Sequence, residues 1–190
     1  QRKKYGYDQE PEIWGFMDEI RTVFGTANPW SFLYEIIQNA VDASATKIVI
    51  DVKDGNKLDI QHNGEVPLDE KSIVGLCGFG LSSKKLDSVG FMGVGFKSFT
   101  GFFTTVNVSD AGISFRIDAP YDGSRVAIEQ LYSPNWVDDP PPRRPDMTTM
   151  FQFSGPKGDA ISHFSTIPDS INTMDLAVIG SHRLDSLKIG

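Results

Sequence analysis

An α+β architecture is what this sequence predicts, and three features point to it. Helical periodicity is concentrated in the first 45 residues, β-like alternation with turn signals occupies most of 47–153, and helical character returns in the last thirty. Helices first, an antiparallel strand set after them and a further helix at the end suggest helices layered against a sheet. With 190 residues, 39% of them hydrophobic and 13 of them Phe, the chain can bury a real core, and one domain is expected over 11–190. Residues 1–10 are polar and read as an N-terminal arm.

The elements follow in order. Ile13, Phe16, Met17, Ile20, Val23 and Phe24 recur at offsets of 3, 4, 7, 10 and 11, one face of an amphipathic helix that Gly25 would stop. Asn28-Pro29 is an N-cap followed by a first-turn proline, so a second helix is expected from there to about Ala45. Lys47–Val52 and Leu58–His62 are β-like and joined by Asp54-Gly55-Asn56, a hairpin signal. A short helix is expected around Glu70–Leu76, and another could open at Phe96-Lys97-Ser98-Phe99. Thr104–Val108, Ile113–Ile117, Arg125–Leu131 and Met150–Phe153 read as strands, with turns at Asp110-Ala111-Gly112 and Asp122-Gly123. Asp138 to Pro145 holds four prolines in eight residues and must be an extended loop.

Composition narrows the function. Lys and Arg number 18 against 25 Asp and Glu, a net charge of −7. Such a chain repels polyanions at long range, so direct nucleic-acid binding is not expected and any phosphate ligand must be held by local features. One cysteine, Cys77, excludes an internal disulfide framework and a Cys-rich zinc site, and the scattered His62, His163 and His182 argue against a His-built one. No apolar run approaches the roughly 20 residues a bilayer requires, and no signal-like start is visible, so a soluble cytoplasmic domain without membrane contact is expected. The chain opens on Gln1 rather than Met, which reads as a fragment of a longer protein.

Two segments carry chemistry. On a helix over 30–45, with Glu35 at zero, Asn39 falls near 40°, Asp42 near −20° and Gln38 near −60°, while Leu33, Ile36, Ile37, Ala40 and Val41 lie opposite. A solvated face would usually mix charge signs to gain i,i+4 pairs. Residues 30–45 contain no Lys or Arg, and oxygen donors without cationic partners suit a hard cation or a water nucleophile. The second segment, Val89 to Ser98, has the spacing G-x-x-G-x-G, the reverse of the dinucleotide fingerprint. It is either a connector over a packed apolar layer or a turn whose N–H groups approach phosphate oxygens. Lys84, Lys85 and Lys97 are the only cations between residues 72 and 115, a plausible local anion site.

Taken in order, these pieces resemble a known family. Tyr34-Glu35-Ile36-Ile37-Gln38-Asn39-Ala40-Val41-Asp42-Ala43 resembles the helical N-box (E-x-x-x-N-A-x-D-A) of the GHKL ATPases, which include gyrase B, Hsp90, MutL and histidine kinases. Gly90 to Ser98 resembles the second glycine box, in a form most like Hsp90 and sacsin-type proteins. His62-Asn63-Gly64, Gly75-Leu76-Cys77 and Ser82-Ser83-Lys84-Lys85 resemble the first glycine box and lid, and Thr148 or Thr149 would match the threonine of the last box. The match spans roughly residues 10–155.

The resemblance implies the Bergerat fold, a two-layer α/β sandwich whose mixed, mostly antiparallel sheet carries helices on one face. It implies ATP and Mg²⁺ as ligands, Glu35 as the base that activates water, Asn39 as the Mg²⁺ ligand and Asp42 beside it in the pocket. Gly90, Gly93, Val94, Gly95 and Phe96 would border the phosphates, with Ser83 and Lys84 covering from the lid. ATP would close the lid and drive dimerisation of two copies, or rearrangement of C-terminal domains of the same chain; a module that binds nucleotide without useful turnover is the alternative. One position departs. The first box ordinarily reads D-x-G-x-G, its Asp accepting from the adenine amine, whereas His62-Asn63-Gly64-Glu65-Val66 stands here. A neutral imidazole offers one acceptor nitrogen, and the Asn63 amide oxygen could serve instead.

Overall fold

The computed structural model describes residues 31–77, 94–119, 133–165 and 186–189. The arm, the helix expected over 13–24, the Asn28-Pro29 start, the strand Arg125–Leu131 and the Asp122-Gly123 turn lie outside the described residues. In chain order the elements are α1 (Ser31–Asp42), β1 (Lys47–Lys53), β2 (Lys57–His62), α2 (Glu70–Cys77) and α3 (Val94–Lys97), which runs on as a 3₁₀ turn, Ser98–Gly101. Then come β3 (Phe103–Ser109), β4 (Ser114–Asp118), β5 (Asn135–Trp136), β6 (Thr149–Pro156), α4 (Ala160–Ser165) and β7 (Ser186–Ile189).

The strands form one sheet in the order β5-β4-β3-β6-β2-β1-β7, antiparallel at every junction except the parallel β1–β7 pair. Register explains the two faces. Ile50, Ile60, Phe151, Val108 and Phe115 lie in one row across five strands, and Val52, Leu58, Phe153, Val106 and Ile117 in another on the same side. The period of two sends Asp51, Asp59, Gln152, Asn107 and Arg116 to the opposite side. Helix α1 buries Phe32, Leu33, Ile36, Ile37 and Ala40 against the apolar side. The Phe32 ring sits 4.9 Å from Phe153 and 5.7 Å from Phe164 of α4, while Phe96 and Phe99 pack on Phe151 and Phe153 at 5.9 and 5.6 Å. Each such ring contributes roughly 1.5–3 kcal/mol by leaving water, so this layer fixes α1 and α3 on the sheet.

Over β1 and β2 the polar side meets the proline-rich segment. Arg144 donates its backbone N–H to Gln61 Oε1 at 2.9 Å and its guanidinium to the Asp51 carboxylate, and Gln152 Nε2 donates to Asp59 Oδ1 at 3.0 Å. Burial pushes the Asp59 carboxyl above the usual carboxylate range, against the hydrogen bond from Gln152.

The expected hairpin is present. Asp54 and Gly55 both have positive φ, 52° and 65°, and Asn56 N–H donates to Lys53 O at 3.1 Å, the mirror-image turn that suits twisted strands. Helix α1 stops at Asp42 rather than near Ala45. Ser44 turns left-handed (φ 63°), its N–H donates to Val41 O and that of Ala45 to Ala40 O, both at 2.9 Å, so the chain caps itself and swings into β1. Two further differences concern strands. Residues 186–189 add β7 where helical character was expected, and Asn135–Trp136 adds β5; segments of four and two residues are too short to carry a period.

Candidate functional site

The apolar side of the sheet does not stay apolar to its end. One row beyond Ile50 and Ile60 come Ile48, His62 and Thr149, and here α1, the turn after β2 and α2 enclose a cavity of about 360 Å³. Its lining joins the polar stripe of α1 (Glu35, Asn39, Asp42) to His62, to Val66–Asp69, to Lys71, Ser72, Gly75 and Leu76 of α2, and to Phe96, Thr149 and Phe151. Glu35 and Asn39 are half-buried, Asp42 is exposed, and Gln38 does not line the cavity. The helical arithmetic that grouped the three oxygens therefore has a cavity to serve.

The turn after β2 is stitched to the end of α1. Glu65 and Val66 N–H both donate to Ala43 O, at 2.8 and 3.3 Å. Gly64 passes so close that a Cβ there would lie 2.9 Å from both Ala43 Cβ and His62 Nδ1, which restricts the position to glycine. Its N–H donates to His62 Nδ1 at 3.1 Å. Burial holds His62 well below the ordinary imidazole value of 6.5, at about 4, although the Asp110 charge pulls the other way; the ring is neutral at pH 7.

Asn63 is not available to the cavity. Its Oδ1 accepts from the N–H groups of Thr46 and Lys47 at 3.0 and 2.8 Å, and its Nδ2 donates to Thr46 Oγ1 at 3.1 Å. The amide oxygen that could have replaced the missing Asp instead fixes the entry to β1. The two threonines separate as well. Thr148 Oγ1 donates to Gly64 O at 2.7 Å and lies closer to Gly64 O than to His62 O (3.1 Å), so it braces the turn. Thr149 lines the cavity and donates to Asp110 Oδ2 at 3.2 Å.

Asp110 is a site-supporting residue that sequence reasoning missed. Buried at the β3–β4 turn, it also accepts from the N–H groups of Leu68, at 2.8 Å, and Ala111. It thereby ties the cavity-lining segment 66–69 to the sheet, and only strand register brings it there. Lys71 and Ser72 were missed too, though Asp69 carried a readable signal: its carboxylate accepts from Ser72 N–H at 2.8 Å and caps α2. The Ser72 hydroxyl, which donates to the same carboxylate at 2.7 Å, and then the N–H hold the Asp69 carboxyl below its usual range.

Of the second glycine box, Gly90 and Gly93 lie outside the described residues, as do Ser83, Lys84 and Lys85 of the lid. Val94 opens α3, Gly95 O accepts from Ser98 Oγ at 2.7 Å, and Phe96 lines the cavity. Lys97, read as part of an anion site, is buried and donates Nζ to Leu76 O at 2.5 Å, at the C-terminal end of α2. Burial pulls its ammonium down from 10.5 to about 8, with the neighbouring Cys77 opposing.

Among the described residues no group of three or more His, Cys, Asp or Glu is arranged to hold a metal ion, and no helix is long and apolar enough to cross a membrane. On the α1 wall of the cavity the side-chain oxygens of Glu35 and Asn39 are of the hard type that a cation such as Mg²⁺ takes beside water and phosphate oxygens. Compared with known proteins, the chain matches no family model and no curated protein.

Proposed function

We propose that this chain is a nucleoside triphosphate-binding switch domain of the GHKL class, built on the Bergerat fold, that hydrolyses ATP with Mg²⁺ in the cytoplasm. The observation that carries the reading is the placement of Glu35, Asn39 and Asp42 on successive turns of one helix as one wall of a 360 Å³ cavity. A mostly antiparallel sheet with α1 packed on its apolar side supports it, as does the threonine of the last box on the cavity lining.

In this reading Asn39 Oδ1 would hold Mg²⁺, which when bound neutralises charge on the phosphates. Glu35 orients a water and takes its proton as that water attacks the terminal phosphorus, the bond from that phosphorus to the bridging oxygen breaks and ADP leaves with the electron pair, and a half-buried carboxylate suits the task. Phe96 and Phe151 exclude bulk water from the inner wall. The remainder of the same chain and a second copy are the proposed recipients of the closure signal.

Binding without turnover is the second reading. It is favoured by the commitment of Lys97 to Leu76 O, which takes a cation away from the phosphates. Glu35→Ala separates the two. Retained nucleotide binding with hydrolysis reduced at least about a hundredfold supports a water-activating base. A measurable rate that Glu35→Ala leaves unchanged removes Glu35 from the mechanism, and nucleotide binding with release at background in both proteins leaves the binding module.

A further inference from the structure

Resting on the nucleotide reading, we propose that Arg144, on the side of the sheet away from the cavity, is a positioning residue for it. Through a stiff turn and Thr148 it fixes the Gly64 turn against the end of α1, and so sets the affinity for the nucleotide. The link passes from one side of the sheet to the other over residues 144–149. At its start the Arg144 N–H donates to Gln61 Oε1 at 2.9 Å and the guanidinium donates to the Asp51 carboxylate, both on the polar side. At its end Thr149 lines the cavity.

The sequence stiffens this link. Arg144-Pro145-Asp146-Met147 is a β-turn closed by Met147 N–H to Arg144 O at 3.0 Å, with proline at the second position, where its fixed φ suits the turn. The same proline confines Arg144 to extended backbone. Asp146 pairs with Lys47 at the start of β1, and Met147 is buried. A turn held in this way passes a displacement of Arg144 on to Thr148.

Past the turn, Thr148 grips the site. Its N–H donates to His62 O at 2.9 Å and its hydroxyl to Gly64 O at 2.7 Å. The gripped segment has no slack, because the N–H groups of Glu65 and Val66 hold Ala43 O and Gly64 passes too close to Ala43 to admit a Cβ. Ala43 directly follows Asp42, and Ala43, His62 and Val66 line the cavity beside Glu35, Asn39 and Asp42. A shift of Thr148 therefore moves one wall of the cavity relative to the oxygens of α1.

Electrostatics hold the far end. Register sets Asp51 directly opposite Asp59, and like charges so placed repel. The Asp51 side chain is 11% exposed and takes Arg144 together with Lys53, the latter at 3.4 Å. Arg144→Met withdraws charge from this buried carboxylate pair and frees the start of the turn. Thr148→Val removes the hydroxyl at the other end and leaves the anchor in place.

The test is a double-mutant cycle, with Mg-ATP titrated calorimetrically into the folded wild type, Arg144→Met, Thr148→Val and the double variant. Each single change should weaken binding about five- to tenfold, and the double variant should bind within about twofold of the weaker single one. Wild-type affinity in Arg144→Met, or losses that multiply, overturns the proposal. Amide hydrogen exchange supplies a reading that needs no ligand. In Arg144→Met the N–H groups of Gly64, Glu65 and Val66 should exchange at least about tenfold faster, while those of Val106 and Val108 in β3 keep their wild-type rates. Equal acceleration of both sets means that Arg144 only stabilises the fold, and an unchanged turn means that no link exists; either result overturns the proposal. If the wild type binds no Mg-ATP the nucleotide reading fails, and exchange alone decides whether Arg144 positions the cavity wall.

Discussion

Acidification from pH 7 to pH 5 should cost the protein about 2 kcal/mol through one side chain, His62. The folded protein holds this imidazole at about 4 against 6.5 in the unfolded chain, because protonation would place a charge in a buried row and break the Gly64 N–H···Nδ1 bond. Between those values the unfolded state binds more protons, so stability rises with pH and falls on acidification. At 1.36 kcal/mol for each tenfold change in proton activity the full loss approaches ~3.4 kcal/mol below pH 4, of which a little over half has accrued by pH 5.

Carboxylates contribute their own slopes, and Asp59, raised by burial, works in the opposite direction. They are common to the wild type and His62→Asn, so the difference between the two isolates the histidine. Urea unfolding of both proteins at pH 7, 6 and 5 is the assay. The wild type should lose about 2 kcal/mol more than the variant over this interval. Parallel losses would refute the neutral, Gly64-bound imidazole on which the reading of the cavity wall depends.

Other outcomes follow from single positions. Ser44 holds a left-handed conformation to end α1, so Ser44→Gly should raise stability by about 0.5–1 kcal/mol in thermal or urea unfolding. Lys97, held near 8 by burial, is charged at neutral pH at a cost that disappears as the solution approaches 10.5. The wild type should therefore gain about 2 kcal/mol relative to Lys97→Met between pH 7 and pH 9.5, and equal slopes would contradict the assignment.

The sequence made legible what periodicity and turn chemistry encode. The alternation Ile48, Ile50, Val52 against Val49, Asp51 is a strand with one apolar side, and Asp54-Gly55 supplies the positive φ angles its hairpin needs. Glu35, Asn39 and Asp42 could be grouped because a helix converts spacing into direction. What escaped was set by partners distant in sequence. Asp110 reaches Leu68 and Thr149 across 42 and 39 residues through strand register. Nothing local marks Asn63 for Thr46 and Lys47, or Lys97 for Leu76 O. Strand β7 joins the sheet parallel to β1, a pairing that leaves no turn signal.

The most direct test of the account is titration of Mg²⁺-nucleoside triphosphate into the folded protein and into Asn39→Ala, with and without the cation. The account predicts saturable, magnesium-dependent binding by the wild type. In Asn39→Ala that binding should weaken at least about tenfold while its unfolding transition is unchanged. Folded protein that binds no nucleoside triphosphate, or an Asn39→Ala variant that binds as well as the wild type, would contradict it.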